Sequence, residues 1–419
     1  MILSLTNIFK VLFLFLSVGS LGVHTDIVLL TSFPLWLSID ILFLILIILL
    51  KSKYFNIENS SVILPIKLFV LWNVISILRG TFVAENYWEW KNLTATALVM
   101  LIPIIVYVAT NKDFTQQVLR FWYKYGLISV FIFLPFINHS DFLGRYLVPV
   151  MFLLLVFPLL PFRWKIITLF FTFLVFSAGF DARSNIIRFS MAGLLGSLYY
   201  FRFILREYFL KLIHFLLISM PIILLLLGSL GIFNVFKMDQ YIGNKYTVVS
   251  KEAGKMKTES LTADSRTFIY VENIQSAIKN DYVLEGRTPA QGYDSQYFGG
   301  FLKWTLKTGK MQRFSSEVSI LNIFTWNGLI GAVLYFLVFL VGSYLAVYKS
   351  NSLHMKIIGL FVAFRWSYAF VEDFTKFDIQ YVFLWMLIAM CYSVDFRKMS
   401  DKEFTEWVQG LVPKIVYGK

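Results

Sequence analysis

The chain has 419 residues, of which 58% are hydrophobic and only 15% are charged, and its formal net charge at pH 7 is +13. A soluble protein of this length would carry a larger share of charged residues, so the composition excludes an ordinary soluble enzyme. The surplus of Lys and Arg is typical of membrane proteins, which collect these residues in cytoplasmic loops, and we expect no nucleic-acid partner.

Apolar segments recur along the whole chain. Crossing the ~30 Å hydrocarbon layer takes ~20 mostly apolar residues per helix. By this measure the sequence predicts about twelve transmembrane helices, at residues 5–23, 27–50, 62–82, 93–110, 121–138, 142–161, 165–180, 185–202, 210–233, 318–347, 355–372 and 379–395. Pro149, Pro158 and Pro161 are expected to kink or end helices around the sixth segment. The predicted fold class is an all-α, polytopic transmembrane helix bundle with one large extracytoplasmic loop that contains short helices.

The distribution of Lys and Arg predicts the orientation in the membrane. The even-numbered short connections hold about twice as many of these residues as the odd-numbered ones, and the positive-inside rule then places both termini in the cytoplasm. We therefore expect transmembrane helices one to nine in residues 1–233 and a large periplasmic loop in residues 234–317. Helices ten to twelve follow in residues 318–395, and residues 396–419 form a cytoplasmic tail.

Two helices are predicted inside the loop. From Asp264 to Asn280 a helical period places four apolar residues on one stripe, namely Phe268, Val271, Ile274 and Ile278. We expect this helix to rest on the membrane or on the bundle, with Thr262 or Asp264 as its cap. A second, polar helix is predicted over residues 296–307. Residues 237–259 are rich in Lys and poorly patterned, and we expect them to be mobile.

Basic residues on the predicted outer face are the candidate site. They are Arg183, Arg188, Arg266, Arg287 and Arg313, and a carboxylate, Glu317, follows the last of them. Arg binds phosphate oxygens in a bidentate fashion, so the cluster suits an anionic substrate. An Arg at mid-membrane costs ~2.5–3.5 kcal/mol on insertion scales and normally faces a polar cavity or a partner. The alternatives are snorkelling of Arg188, its pairing with Asp181, and a purely dipole-stabilising role for Glu317.

Metal and nucleotide chemistry have no support in the sequence. The four His residues are scattered, and the single cysteine, Cys391, excludes a thiolate metal cluster, so we expect no metal and no cofactor. There is no Gly-rich phosphate loop of the kind that nucleotide hydrolases use. An outward Arg cluster without a metal suits a lipid-linked pyrophosphate, a substrate that is already activated.

Four motifs in order along the chain resemble the bacterial O-antigen polymerase and O-antigen ligase superfamily. These are Ala182-Arg183-Ser184 at the start of a mid-chain helix, Ser265-Arg266-Thr-Phe-Ile-Tyr-Val-Glu-Asn-Ile at the start of a loop helix, Leu284-Glu-Gly286-Arg287, and Glu317-Val-Ser-Ile-Leu321 leading into Gly328-Leu-Ile-Gly331. The helix count and the late position of the loop are similar too. Ligases of the superfamily usually carry a His-Asn pair where the loop meets the next helix. This chain has Ser315-Ser316-Glu317 there, which favours a polymerase.

The resemblance implies a metal-independent glycosyltransferase in the bacterial inner membrane. It would polymerise undecaprenyl-pyrophosphate-linked oligosaccharide repeat units into O-antigen or capsule, among membrane lipids and with a chain-length regulator as a further partner. The expected catalytic residues are Glu317, Arg266 and Arg183, and the expected pyrophosphate ligands are Arg183, Arg188, Arg266, Arg287 and Arg313. Two alternatives stay open: a ligase that transfers the chain to lipid A-core, and a flippase or other transporter. Transporters are generally built from two similar halves, and no internal repeat is visible.

Overall fold

The computed structural model describes residues 4–21, 27–136, 141–178, 183–204, 206–242, 247–252, 255–260, 264 and 266–412. Helices make up most of this part of the chain. The first group is α1 (Leu5–Gly19), α2 (Phe33–Tyr54), α3 (Leu64–Val83), α4 (Tyr87–Leu101), α5 (Val106–Ala109), α6 (Lys112–Phe133), α7 (Phe142–Tyr146), α8 (Val150–Leu155), α9 (Phe162–Ser177), α10 (Arg183–Ser197) and α11 (Glu207–Ser229).

A mixed segment separates this group from the last helices. It holds α12 (Asp239–Ile242), β1 (Thr247–Glu252), β2 (Lys255–Ser260), α13 (Thr267–Lys279), β3 (Tyr293–Asp294), α14 (Gln296–Leu306) and β4 (Gln312–Arg313). The chain then returns to the bundle with α15 (Ser319–Lys349), α16 (Leu353–Tyr368) and α17 (Ile379–Tyr392), and ends in α18 (Val394–Lys398) and α19 (Asp401–Leu411). β1 pairs with β2 and β3 with β4, both antiparallel.

The fold is that of a helical membrane protein. Within the described residues, six helices are long and apolar enough to cross a membrane: Phe33–Tyr54, Leu64–Val83, Tyr87–Ala109, Lys112–Phe136, Glu207–Ser229 and Ser319–Lys349. Two further apolar helices, Leu5–Gly19 and Ile379–Tyr392, are shorter. The predicted all-α class is thus confirmed, whereas the count of about twelve spanning helices remains a prediction.

The sixth predicted segment, 142–161, is not one continuous helix. It is divided into α7, α8 and a 3₁₀ turn at Phe157–Leu159. Pro149 is the N-cap of α8 and Pro158 lies in the 3₁₀ turn. A proline has no N–H to donate and clashes with the preceding turn, so the helix cannot run through these positions. The stretch is almost entirely buried among other helices.

Both helices predicted in the loop are present, and the loop also contains strands that were not predicted. α13 and α14 lie close to their predicted bounds. The N-cap of α13 is Arg266, and the Asp264 carboxylate accepts hydrogen bonds from the backbone N–H groups of Arg266 and Thr267 at the start of the helix. Thr262 lies outside the described residues. The poorly patterned stretch contains the paired strands β1 and β2. A hairpin of this kind depends on cross-strand hydrogen bonds, which its composition did not signal.

Helix α15 is broken where the preceding segment inserts into it. Gly328 has φ 66° and ψ −166°, which is not helical. The N–H groups of Leu329 and Ile330 donate to the carbonyls of Val283 (2.8 Å) and Leu284 (3.2 Å), and the Arg287 N–H donates to the Thr325 carbonyl (2.7 Å). The inserted backbone therefore satisfies the groups that the break exposes.

The core of the bundle surrounds α17, whose residues are all buried, while α2, α9 and α11 expose large apolar side chains on their outer faces. Such faces suit contact with lipid. We call one end of the bundle the loop end. It contains the connections α3–α4 and α16–α17, the start of α10, and the described part of residues 230–318. The loop end holds all the candidate site residues.

Candidate functional site

Arg266 joins three parts of the chain at the loop end. It is the residue from which α13 starts. Its Nη1 donates to Glu317 Oε2 at 2.5 Å, its Nη2 lies 3.7 Å from Glu372 Oε2, and its Nε donates to the Val371 carbonyl at 3.3 Å. The guanidinium thus ties the first loop helix to the start of α15 and to the α16–α17 connection.

Glu317 lies between two guanidinium groups. Arg266 bonds its Oε2, and Arg313 Nη2 donates to its Oε1 at 3.1 Å. Arg313 is fixed in turn against the ring of Phe298, 4.1 Å from its centroid. The Glu317 side chain is still 44% exposed, and each carboxylate oxygen keeps a further lone pair. Arg266, Arg313 and Glu317 are therefore brought together as the sequence predicted.

Serine is a favoured N-cap residue, and Ser315 and Ser316 stand just before the helix that follows Glu317. The N-cap of α15 is instead Val318. The Ser316 Oγ accepts the Val318 N–H at 3.1 Å, so this serine orders the approach to the helix rather than its first turn.

Glu372 is a member of this group that the sequence reasoning missed. The positive charges of Arg266, Arg188 and Arg145 all act on its carboxylate. It therefore feels charges from α13, α10 and α7 at once. An acidic residue inside a predicted spanning segment, 355–372, was the available signal.

Arg188 is confirmed inside α10, where it is only 2% exposed. Its Nη2 donates to the Asn185 side-chain carbonyl, and Asn185 Nδ2 donates to Asp141 Oδ1 at 2.6 Å. Asp141 Oδ2 pairs with Arg145 Nε at 2.5 Å. A polar chain thus links α10 to α7 inside the bundle. Asp181, the alternative partner for Arg188, lies outside the described residues.

Arg365, near the end of α16, was also missed. It is 2% exposed, and its guanidinium lies against the ring of Phe374, 4.2 Å from the centroid. The rule that drew attention to Arg188, an Arg inside an apolar segment, applies equally to Arg365.

Arg287 stabilises the loop segment in which it lies. Its Nη1 donates to Asp294 Oδ1 at 2.6 Å and to the Gly292 carbonyl at 2.9 Å, and its side-chain hydrogen bonds stay within residues 282–294. Burial would raise the pKa of Asp294, but hydrogen bonds from Arg287 and Asn280 hold it below its ordinary value. The structure therefore does not bring Arg287 to the Arg266–Glu317 group.

Arg183 is the first residue of α10 and is exposed at the loop end. Its neighbour Ala182, and Ser265 before Arg266, belong to the motifs quoted above and lie outside the described residues.

An apolar cavity of about 640 Å³ opens beside these residues. Its wall comes from four helices, with Ile187 on α10, Leu224 on α11, Ile274 on α13 and Phe364 on α16. Ligand pockets typically enclose ~300–1,000 Å³ and are mostly apolar with a few polar groups. Two of the four stripe residues of α13, Val271 and Ile274, line it. The stripe therefore covers an apolar space, while the opposite face of α13 is buried in protein.

Three residues that line the cavity are next to, or hydrogen-bonded with, the residues around Arg266 and Arg188. Thr267, Val371 and Tyr368 all line it. Thr267 directly follows Arg266, and the Val371 carbonyl accepts the hydrogen bond from Arg266 Nε. The Tyr368 hydroxyl donates to the Ser184 carbonyl at 2.9 Å, which also accepts from Arg188 Nε at 3.2 Å. An apolar ligand in the cavity would have its end next to Arg266 and Arg188.

The chain matches no protein-family model, and no curated protein and no solved structure shows significant similarity to it.

The chemistry available at the loop end follows from its charged groups and from the apolar cavity beside them. Guanidinium groups there present N–H donors to an anion, and a half-exposed carboxylate lies among them. The apolar cavity beside them accepts a hydrocarbon chain. The arrangement suits an amphiphile with an anionic head, held where its head is near Arg266 and Glu317.

Proposed function

We propose that the protein is a membrane-embedded glycosyltransferase that polymerises undecaprenyl-pyrophosphate-linked oligosaccharide repeat units. The observation that carries this proposal is the junction of the 640 Å³ apolar cavity with the Arg266–Glu317 group. A polyprenyl chain needs apolar walls, and a pyrophosphate needs Arg donors. The motif resemblance to O-antigen polymerases supports the same assignment.

In the proposed reaction, the growing chain is the donor and a new lipid-linked unit is the acceptor. The acceptor hydroxyl oxygen attacks the anomeric carbon of the donor and forms the new glycosidic bond. The bond from that carbon to the pyrophosphate oxygen breaks, and its electron pair leaves with lipid pyrophosphate. The hydroxyl proton passes to Glu317 as general base.

Charge develops on the leaving pyrophosphate in the transition state. Fixed donors placed at such a charge are often a large catalytic contribution. We assign this role to Arg183, Arg188 and Arg266. Arg313 holds Glu317 in place, and Arg287 stabilises the segment through Asp294.

We propose the inner-membrane topology that the Lys and Arg distribution predicts. The loop end would face the periplasm, both termini the cytoplasm, and about twelve segments the membrane. Lys51 and Lys53 at the end of α2 and Lys349 at the end of α15 support this, because they lie at the end of the bundle away from the loop end. A chain-length regulator is the proposed protein partner.

The test is the polysaccharide ladder of a deletion strain complemented with variants. Arg183→Ala, Arg266→Ala and Glu317→Ala should each leave a single repeat unit while the protein is present at normal levels. Arg266→Lys should rescue poorly, because an ammonium does not reproduce the bidentate geometry.

Lys303→Ala is the matched control, since Lys303 is exposed on α14 and lies outside the group. It should give a normal ladder. Normal ladders from all three site variants would reject the proposed reaction. Accumulation of lipid-linked units on the cytoplasmic side would indicate a transporter instead.

A further inference from the structure

Two buried arginines at the loop end have guanidinium nitrogens without hydrogen-bond partners in the described part of the chain. Arg188 Nη1, Arg365 Nη1 and Arg365 Nη2 are all inaccessible to solvent and unpartnered. Each of these nitrogens carries two N–H donors. A buried donor without an acceptor costs free energy, and a charged one costs more, so an added acceptor at these nitrogens would be favourable.

The two side chains belong to one site. α10 and α16 pack against each other, and the two arginines are close enough for their like charges to repel each other. Tyr368 connects them. Its hydroxyl shares the Ser184 carbonyl with Arg188, and its ring centroid lies 5.3 Å from the Arg365 guanidinium.

The nearby carboxylates are engaged elsewhere. Glu372 pairs with Arg266. Asp373 accepts from Asn322 and Thr375, and Asp378 caps α17 by accepting the Tyr381 N–H at 3.0 Å. None of the three has a described hydrogen bond to Arg188 or Arg365. The Arg365 fork and the Nη1 group of Arg188 therefore remain for an external anion.

The apolar cavity lies next to this pair, although neither arginine lines it. Ile187 and Phe364, the residues that precede Arg188 and Arg365, both line it, and so does Tyr368. Tyr368 lines the cavity, and its ring centroid lies 5.3 Å from the Arg365 guanidinium. An anionic head attached to an apolar chain in the cavity would reach the pair beside this ring.

We propose that Arg188 and Arg365 form a buried anion site that binds the phosphate groups of a ligand whose apolar chain occupies the cavity. This rests on the proposed function in taking the ligand to be a lipid pyrophosphate. Arg365 is then a pyrophosphate-binding residue, and its fork supplies two parallel N–H donors to one phosphate. Arg266 and Arg313, already paired with Glu317, act at the surface of the same site.

The test measures binding to the purified full-length protein in detergent, with farnesyl pyrophosphate as the probe. Arg365→Met and Arg188→Met should each weaken binding by at least about tenfold, since each removes charge-assisted hydrogen bonds. Arg365→Lys should fall between wild type and Arg365→Met. Arg120→Met, an exposed Arg on α6, is the control and should bind as wild type does.

Thermal unfolding separates ligand binding from a structural role. Without the probe, Arg365→Met should unfold at or above the wild-type temperature, because an unpaired buried charge has been removed. With the probe, wild type should gain stability and the variant should gain little. Unchanged affinity in Arg365→Met, or a lower unfolding temperature without the probe together with unchanged affinity in Arg365→Lys, would overturn the proposal.

Two further probes identify the source of the anion. Farnesol should not compete, because it has no phosphate. Inorganic pyrophosphate that binds as tightly as farnesyl pyrophosphate would overturn the lipid head group as the occupant. The proposed function is tested separately: normal ladders from the Arg266 and Glu317 variants reject polymerisation even when farnesyl pyrophosphate binding is intact.

Discussion

Gly328→Ala is expected to destabilise the protein by about 4 kcal/mol or more, which is exceptional for a single substitution. A Cβ at Gly328 would lie 2.2 Å from the Leu284 carbonyl oxygen and 2.4 Å from the Gly286 nitrogen, both of them backbone atoms that have no rotamer to change. The backbone at φ 66° and ψ −166° is also a conformation that is essentially restricted to glycine. The inserted segment would have to leave the break in α15.

Gly286→Ala should have a similar effect, because its Cβ would lie 2.4 Å from the Gly328 nitrogen and its φ is 78°. The measurement is the unfolding temperature of detergent-solubilised protein, together with protease cleavage in residues 280–290. Gly300→Ala in α14 is the matched control, since nothing lies within 4 Å of its Cβ and alanine favours a helix. A wild-type unfolding temperature for Gly328→Ala would refute the insertion.

Lys310→Met should destabilise the loop end by about 3 kcal/mol, at the lower end of what breaking a buried ion pair costs. Lys310 Nζ donates to Glu89 Oε1 at 2.6 Å and to Glu85 Oε2 at 2.8 Å. Glu89 is only 1% exposed, so its carboxylate would lose its counter-ion in a place that water does not reach. Because Lys310 is itself 29% exposed, the loss of stability should stay below the largest values seen when a buried ion pair is broken.

A double-mutant cycle gives the decisive measurement. The Lys310→Met/Glu89→Gln double variant should be more stable than Lys310→Met alone, since the uncompensated charge is gone. Glu85→Gln should change stability far less than Lys310→Met, because that carboxylate is at the exposed rim. Lys303→Met, on exposed α14, is the control for loss of a lysine. Additive effects in the cycle would mean that the ion pair does not anchor the segment to α4.

The contact of Gly328 with Gly286 gives a physical meaning to two of the sequence motifs. Leu284-Glu-Gly286-Arg287 and Gly328-Leu-Ile-Gly331 were recognised as separate patterns along the chain. The structure brings Gly286 and Gly328 into backbone contact, so each glycine is required by the other. Such a contact between residues 42 positions apart in number depends on how α15 and the segment fold together, and no local pattern shows it.

Helices were the part of the fold best predicted from sequence. α13, α14 and α16 lie near their expected bounds because hydrophobic period and length are local properties of the chain. The break of segment 142–161 into α7 and α8 agrees with the prediction made from its prolines. Burial inside the bundle lets such a stretch satisfy its polar groups through neighbours.

The sequence by itself determined that this is a helical membrane protein with a group of arginines near one polar segment, because partition into lipid depends on each residue's own chemistry. Only the tertiary structure decided what each arginine does. Arg266 meets Glu317 across 51 positions and Val371 across 105, Arg287 is taken up by Asp294, and Arg365 joins Arg188 next to an apolar cavity. Ion pairing and burial depend on distances in space, which α10, α13 and α16 set by packing together.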